Sequence, residues 1–541
     1  MGIPRWKPVV EVSKQEAALL KHLGRVRKLL PFLRKQRHVL FDDAFQVELE
    51  GMYRQSGAGK SAVAPALMAM ATIVQEYLGV SDAEMVKLTV LDLSVQCVLD
   101  RVGAAEPAFS QGALHDFRLR LIRHDMDRRL LERTVELATS TREFDSKKLP
   151  RSLRVAVDSA PLEGAGRVED TLNLLAHAGR DLARLAAKAT KTSMETVCQH
   201  AGAEMLLQSS IKKALDLQWT RKGARDEGLR KLIDQLDRLV GWVVKRLPHE
   251  AHQPPLSDAL ATLKQLREQD LEPDPNDPHG GMRIRRGVAK DRRISVTDKE
   301  MRHGRKNKNK TINGYKRHIA VDLDSDVILA GAILPANQQE AVAARPLKNE
   351  LASQGIKIAE LYIDRGYLSS PAVNDVQAEG GTVFCRPWVV AREGVFSKLD
   401  FHFDLRSREV TCPAGVSIPF RAGERHTLHF PRQLCNVCPI RSLCTRTSVG
   451  ARSLTLHEDE LLHEQLRRAL RSRSGRAKLR RRTRVEHRLA HLVDKSGDRA
   501  RFRGVRKNTF ALRRTAAVLN LETMSARQPR GRRSLTNRSA S

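Results

Sequence analysis

A mixed α/β layer fold is what the sequence predicts, and three stretches predict it. Residues 153–157 form an apolar, β-prone run broken only by Arg154, and Asp158 closes it just ahead of Pro161, Gly164 and Gly166. Residues 315–322 and 327–334 alternate in hydrophobicity around Asp324-Ser325-Asp326, the pattern of a β-hairpin. Residues 358–363 are a second largely apolar strand, ended by Asp364. A helical segment around 338–351 lies between hairpin and strand, and residues 382–385 add one more strand.

The N-terminal third has a different texture. Leu19, Leu20, Leu23, Leu29 and Leu30 predict one helix, and residues 60–140 are helical in pattern. Within them, 66–78 is an Ala/Met/Leu helix, Ser81 caps the next, and 117–121 lies on a further one. This reads as an all-α region. Residues 57–61, GAGKS, imitate the end of a phosphate-binding loop. The first glycine of that motif would fall at Arg54 and no apolar strand precedes it, so nucleotide binding is set aside.

After the first strand comes a long helical insertion, 175–270. Leu229, Leu232, Leu236, Leu239, Val243 and Leu247 make one apolar stripe, suited to internal packing or to a coiled-coil contact between subunits. Residues 271–280 form a Pro/Asp linker expected to hold neither helix nor strand. Residues 282–310 are strongly basic, as a solvated loop or a phosphate-gripping one would be.

Charge narrows the class of partner. The 541 residues carry 95 Lys+Arg against 63 Asp+Glu, a net charge of +32. Such a field binds a polyanion by releasing its counterions, which points to nucleic acid. Aromatics make up 4%, too few for a stacking platform on single strands. No apolar run is long enough to span a bilayer, and the N-terminus lacks the apolar core of a signal peptide. The expectation is a cytoplasmic, nucleoid-associated protein with no membrane role.

The chemistry resides in three acids. Asp158 alone would read as a turn cap. Asp158 and Asp364 together, at the ends of two strands, emerge at one sheet edge if those strands are parallel neighbours. Two close carboxylates repel unless a proton or a metal cation sits between them, and magnesium suits carboxylate oxygens with room left for phosphate and water. Glu486 is the single acid between residues 465 and 493, amid many arginines. Val485, Leu489 and Leu492 put an apolar stripe under its helix. By itself Glu486 reads as an intrahelical ion pair. Beside two strand-end acids it reads as a third metal ligand, carried on a helix that packs against the sheet.

Four of seven cysteines cluster: Cys412, Cys435, Cys438 and Cys444. Cys435-x-x-Cys438 is a chelating pair, while the Cys412 end has one cysteine, with His426 and His429 as substitutes. Zinc and free buried thiols are the two readings. Cys97, Cys198 and Cys385 sit in apolar settings and are expected in the core.

These residues together resemble the DDE-type transposases of bacterial insertion sequences. The resemblance runs from about residue 60 to 521. It rests on Asp158-Ser159-x-Pro161 with Gly164, Gly166 and Asp170-Thr171; on Arg302-His303-Gly304-Arg305-Lys306 followed by Gly314-Tyr315-Lys316; on Pro335-Ala336-Asn337 with Glu340; on Ile363-Asp364-Arg365-Gly366-Tyr367; and on Arg482-x-x-x-Glu486 followed by Arg503-Gly504 and Lys507-Asn508. Leu479 and Val493 stand where related signatures carry a Tyr and a Lys, and Ala160 where a hydroxyl residue is frequent.

The resemblance implies a ribonuclease-H-like mixed sheet flanked by helices. It implies a helical N-terminal domain at 1–145 for DNA end binding or dimerisation. The catalytic domain would open over 150–395, with the 175–270 insertion inside it. A cysteine-rich β insertion at 396–455 and the helix of the third acid at 456–522 follow, then a basic disordered tail at 523–541. It implies two Mg²⁺ or Mn²⁺ ions about 3.5–4 Å apart on Asp158, Asp364 and Glu486, cleavage at the element's ends, and joining of the 3′-OH to target DNA. The partners implied are double-stranded DNA with terminal inverted repeats, target DNA, and a second copy in a homodimer or higher synaptic oligomer. Arg302, Arg305, Lys306, Lys316, Arg482, Arg484 and Lys507 would hold the DNA. A metal-dependent nuclease without strand transfer and a non-catalytic DNA-binding protein are the competing readings.

Overall fold

The computed structural model describes residues 3–54, 62–140, 152–221, 223–275, 281–306, 309–387, 394–404, 406–421, 423–447 and 450–527. Residues 57–61, with their GAGKS motif, lie outside them.

Eight helices come first: α1 (Lys14–Val26), α2 (Leu29–Leu40), α3 (Asp43–Glu50), α4 (Pro65–Leu78), α5 (Asp82–Leu91), α6 (Leu93–Leu99), α7 (Gln111–Arg123) and α8 (Met126–Ser140). The single helix expected over Leu19–Leu30 is two. Leu20 and Leu23 pack on Cys97, whereas Leu29 and Leu30 enter the main core, and one straight helix could not serve both. Side-chain caps set several starts, among them Ser13, Asp42, Ser81 and Ser110, each accepting a backbone N–H three residues on.

The central sheet begins with β1 (Ser152–Glu163). Next along the chain come β2 (Leu271–Pro273), β3 (Met282–Ile284), β4 (Arg302–Arg305), β5 (Thr311–Asp322), β6 (Ile328–Pro335), β7 (Lys357–Tyr362) and β8 (Thr382–Phe384). β5 runs antiparallel to β1, and β6 antiparallel to β5. β7 is parallel to β1 and β8 to β7. β4 extends the line of β6 along the outer side of β5, so the order is β6/β4, β5, β1, β7, β8. This is a mixed α/β architecture.

β1 is longer than its sequence suggests. Pro161 and the glycines look like a terminator, yet the strand continues to Glu163 because β5 pairs with it all the way. Only the β7 side stops early, at Ala156 opposite Tyr362. Pro161 therefore sits where one edge of the strand is open, the place a strand tolerates a missing N–H.

Helices cover both faces. α14 (Ala341–Ser353) and α15 (Pro371–Ala378) share a core with Val155 and Val157. α19 (Thr483–Ser496) buries Val485, Leu489 and Leu492 against the opposite face, with Ala156 and Tyr362. α20 (Val505–Arg527) packs on β6, α8 and α4, so the N-terminal helices and the sheet share one apolar core. α20 also carries ordered helix five residues past 522, where the tail was expected to begin.

The helical insertion comprises α9 (Thr171–Thr190), α10 (Met194–Ala201), α11 (Ile211–Ala214), α12 (Ala224–Arg246) and α13 (Leu256–Asp270). Its Leu229–Leu247 stripe is buried in the insertion's own core. The linker expected after it holds a strand: β2 pairs with β3, and Pro273 lies at the end of that two-stranded ribbon. The cysteine region holds β9 (His402–Asp404), β10 (Glu409–Thr411), β11 (Ser417–Pro419), β12 (His426–His429), α16 (Arg432–Asn436) and β13 (Ser453–Leu456) around its own small aromatic core. α17 (Glu460–Arg471) and α18 (Arg473–Arg480) lead from it to α19.

Candidate active site

The register of β1 and β7 decides where two of the acids lie. Their last paired residues are Ala156 and Tyr362. Asp158 and Asp364 each follow two residues later, so both stand at the same level past the end of the ladder. Asp158 is inside the extended β1, while Asp364 caps the short turn Arg365–Tyr367 by accepting the Arg365 N–H at 2.8 Å. Ile363 is held by its N–H on the Phe384 carbonyl at 3.1 Å, which anchors Asp364 to β8.

Glu486 reaches the same edge from above. The apolar stripe of α19 lays the helix across β1 and β5, and Glu486 projects from its first turn, where the helix dipole favours a negative charge. Between the acids lies Arg482. It donates to Asp158 Oδ2 at 2.8 Å and to Glu486 Oε1 at 2.5 Å. Asp158 Oδ1 accepts the Ser159 N–H at 2.8 Å. Burial raises the Asp158 carboxyl above its ordinary range; Arg482 and the Ser159 N–H oppose that, and the charges of Glu486 and Asp364 add to it. Asp158 thus feels both other acids. Among the described residues, no three His, Cys, Asp or Glu side chains stand close enough as they are to hold a metal ion.

Directly behind Asp158, on the other face of β1, is a polar cluster to which the sequence assigned no role. Ser159 donates to Glu340 Oε1 at 2.6 Å, and the Tyr367 hydroxyl lies 2.7 Å from His318 Nδ1. Burial drives His318 down to about 3, so the ring is neutral, and burial raises Tyr367 well above its ordinary value. The signals in the sequence were proximity, Ser159 adjoining one acid and Tyr367 following the other by three, and the place of Ser159, Glu340 and Tyr367 in the motifs of the resemblance.

The basic residues separate into two groups. Arg302 is clamped by Asp291 and by the carbonyls of Lys299 and Met301. Arg484 is exposed, with one nitrogen on the Leu323 carbonyl, and Lys316 donates to the Gln338 carbonyl at 3.1 Å. Arg305, Lys306 and Lys507 are exposed. Arg292 and Arg293, from the same basic segment, are tied to Asp270 and to the carbonyls of Ser295 and Val296.

Cys412, Cys435, Cys438 and Cys444 line one cavity of about 200 Å³. Burial pushes the Cys444 thiol up, and the other three add to that. They do not close around an ion, and His426 and His429 are not in the cavity wall. Cys97, Cys198 and Cys385 are buried.

The site is thus an acidic, arginine-bridged edge on a mixed sheet, in a chain of net charge +32. Residues 411–525 match the family described as "Transposase DDE domain", which supports a DDE-type transposase. The matched segment contains Glu486 and the four clustered cysteines, and stops short of Asp158 and Asp364. No curated protein and no solved structure gives a significant match. The match supports a transposase-type function, and that family implies DNA partners and generally uses divalent metals. No helix among the described residues is long and apolar enough to cross a membrane.

Proposed function

We propose that the chain cuts DNA at the ends of its insertion sequence and joins the freed 3′-OH to target DNA, with Asp158, Asp364 and Glu486 as the metal-binding carboxylates. The observation that carries this reading is the shared level of Asp158 and Asp364 past the paired part of β1 and β7, with Glu486 brought over them by α19. The strand order, three antiparallel strands followed by two parallel ones, supports a ribonuclease-H-like core.

Two Mg²⁺ or Mn²⁺ ions fit the donor set. The acids offer hard oxygen ligands, and the Arg482 guanidinium between two of them marks where positive charge is favoured. When bound, such ions polarise the phosphodiester and lower the pKa of an attacking water. Asp158 on β1 and Asp364 on the turn after β7 would hold one side of that site, and Glu486 in the first turn of α19 the other. Arg482, once off the carboxylates, has the planar fork that grips a phosphate. Arg305, Lys306 and Lys507 supply exposed charge for the DNA backbone, and the N-terminal helices are assigned to end binding or to pairing two copies.

The test uses DNA carrying the sequences that flank the gene. Purified protein with Mn²⁺ should nick at a defined end and then yield joined product. Asp158→Asn, Asp364→Asn and Glu486→Gln should each abolish both while leaving the circular-dichroism spectrum unchanged. Cutting without joined product would identify a nuclease, and full activity in Asp158→Asn would overturn the assignment.

A further inference from the structure

The backbone ladder that holds Asp158 and Asp364 side by side ends before it reaches either of them. Past Ala156 and Tyr362, β1 and β7 share no further backbone pairing among the described residues. What joins the two segments beyond that point is the polar cluster on the far face. Ser159 is next to Asp158, Tyr367 is three residues past Asp364, His318 faces Ser159 across β5, and Glu340 begins α14.

The protons in this cluster have one consistent arrangement. His318 Nε2 is buried with no partner. An orphaned N–H donor is rarer and costlier in a protein interior than an unmet acceptor lone pair, so the proton belongs on Nδ1. Nδ1–H then donates to the Tyr367 oxygen. The Ser159 O–H, from the β1 position that faces His318, donates to Glu340. That second bond ends on a half-buried carboxylate. Gly366 admits that carboxylate: a Cβ there would overlap Glu340 Oε2 and lie 3.1 Å from its Cδ.

We propose that these two hydrogen bonds, His318 to Tyr367 and Ser159 to Glu340, with Glu340 seated against Gly366, set the separation of Asp158 and Asp364 where the ladder no longer can, making their members positioning residues for the metal site. The inference rests on the metal-dependent reading above. Positioning groups of this kind change metal affinity by about 10–100-fold when removed.

The full-length protein is titrated with Mn²⁺ and the free ion followed by electron paramagnetic resonance, alongside the KM for flanking DNA and the urea midpoint. Tyr367→Phe and the milder Ser159→Ala should weaken Mn²⁺ binding about 10–100-fold with KM for DNA changed less than about twofold. Glu340→Gln, whose carbonyl still accepts from Ser159, should stay within about threefold of wild type. Unchanged Mn²⁺ affinity in Ser159→Ala, with only the urea midpoint lowered, would reduce these bonds to a structural role and overturn the proposal. Mn²⁺ binding that survives Asp158→Asn would instead sink the metal reading itself, and the proposal with it.

Discussion

Gly366→Ala is the perturbation that separates contact from composition at the sheet edge. Gly366 lies in the short turn after Asp364 and its φ is not in the left-handed region, so an alanine brings no backbone strain. Its Cβ would overlap Glu340 Oε2 and crowd Glu340 Cδ at 3.1 Å and Cβ at 3.2 Å. The atom in the way is the tip of a side chain able to turn toward water. The carboxylate therefore moves and releases Ser159. A hydrogen bond to a charged group is worth about 1.5–3 kcal/mol, and Glu340 is half-exposed, so a loss of about 1–2 kcal/mol is expected. Urea unfolding of Gly366→Ala, Ser159→Ala and the double variant closes a cycle. Because both single changes break the same bond, Gly366→Ala should cost less than about 0.5 kcal/mol in the Ser159→Ala background. Full additivity of the two would refute the displacement of Glu340 and with it the role given to Gly366.

Arg482→Ala removes a cation that competes for two of the carboxylates, so Mn²⁺ should bind about tenfold more tightly by paramagnetic resonance even as cutting falls, and weaker binding would contradict this. Leu492 is fully buried under α19, and Leu492→Ala should lower stability by about 2–5 kcal/mol in urea, with cleavage falling as Glu486 loses its support; a loss below about 1 kcal/mol would count against that packing. The Arg34 hydrogen bond holds the Glu16 carboxyl down to about 2 from its ordinary 4.5. A depressed carboxyl stabilises the fold above its unfolded pKa and loses that contribution as pH falls through its folded one. The deficit of Glu16→Gln in urea midpoint should thus be full at neutral pH, shrink below about 4.5 and vanish near 2; an equal deficit at pH 3 and pH 7 would break the argument.

Local pattern made the strands legible, and tertiary pairing hid the rest. The hairpin and the runs before Asp158 and Asp364 announce themselves because buried strands need apolar side chains whatever their neighbours are. The Val485, Leu489, Leu492 stripe likewise shows which way Glu486 must face. Where β1 ends was misread, since a strand's end depends on its partners: Pro161 breaks only the edge that β7 has already left. The basic stretch at 282–310 could not be sorted by sequence, because an arginine held by Asp270 or Asp291 has the same letter as one awaiting a phosphate.

The same limit explains why the carboxylate partners of Arg482 and Ser159 could not be read from the sequence. Arg482 meets Asp158 across 324 positions, and Ser159 meets Glu340 across 181. Neither distance leaves a periodicity to read. Yet these contacts follow from the register once it is known. Side chains alternate along β1, so Asp158 must face α19 and Ser159 must face α14. A strand that offers an acid to one face therefore offers its neighbour to the other, and the two helices that cover the sheet supply one partner each.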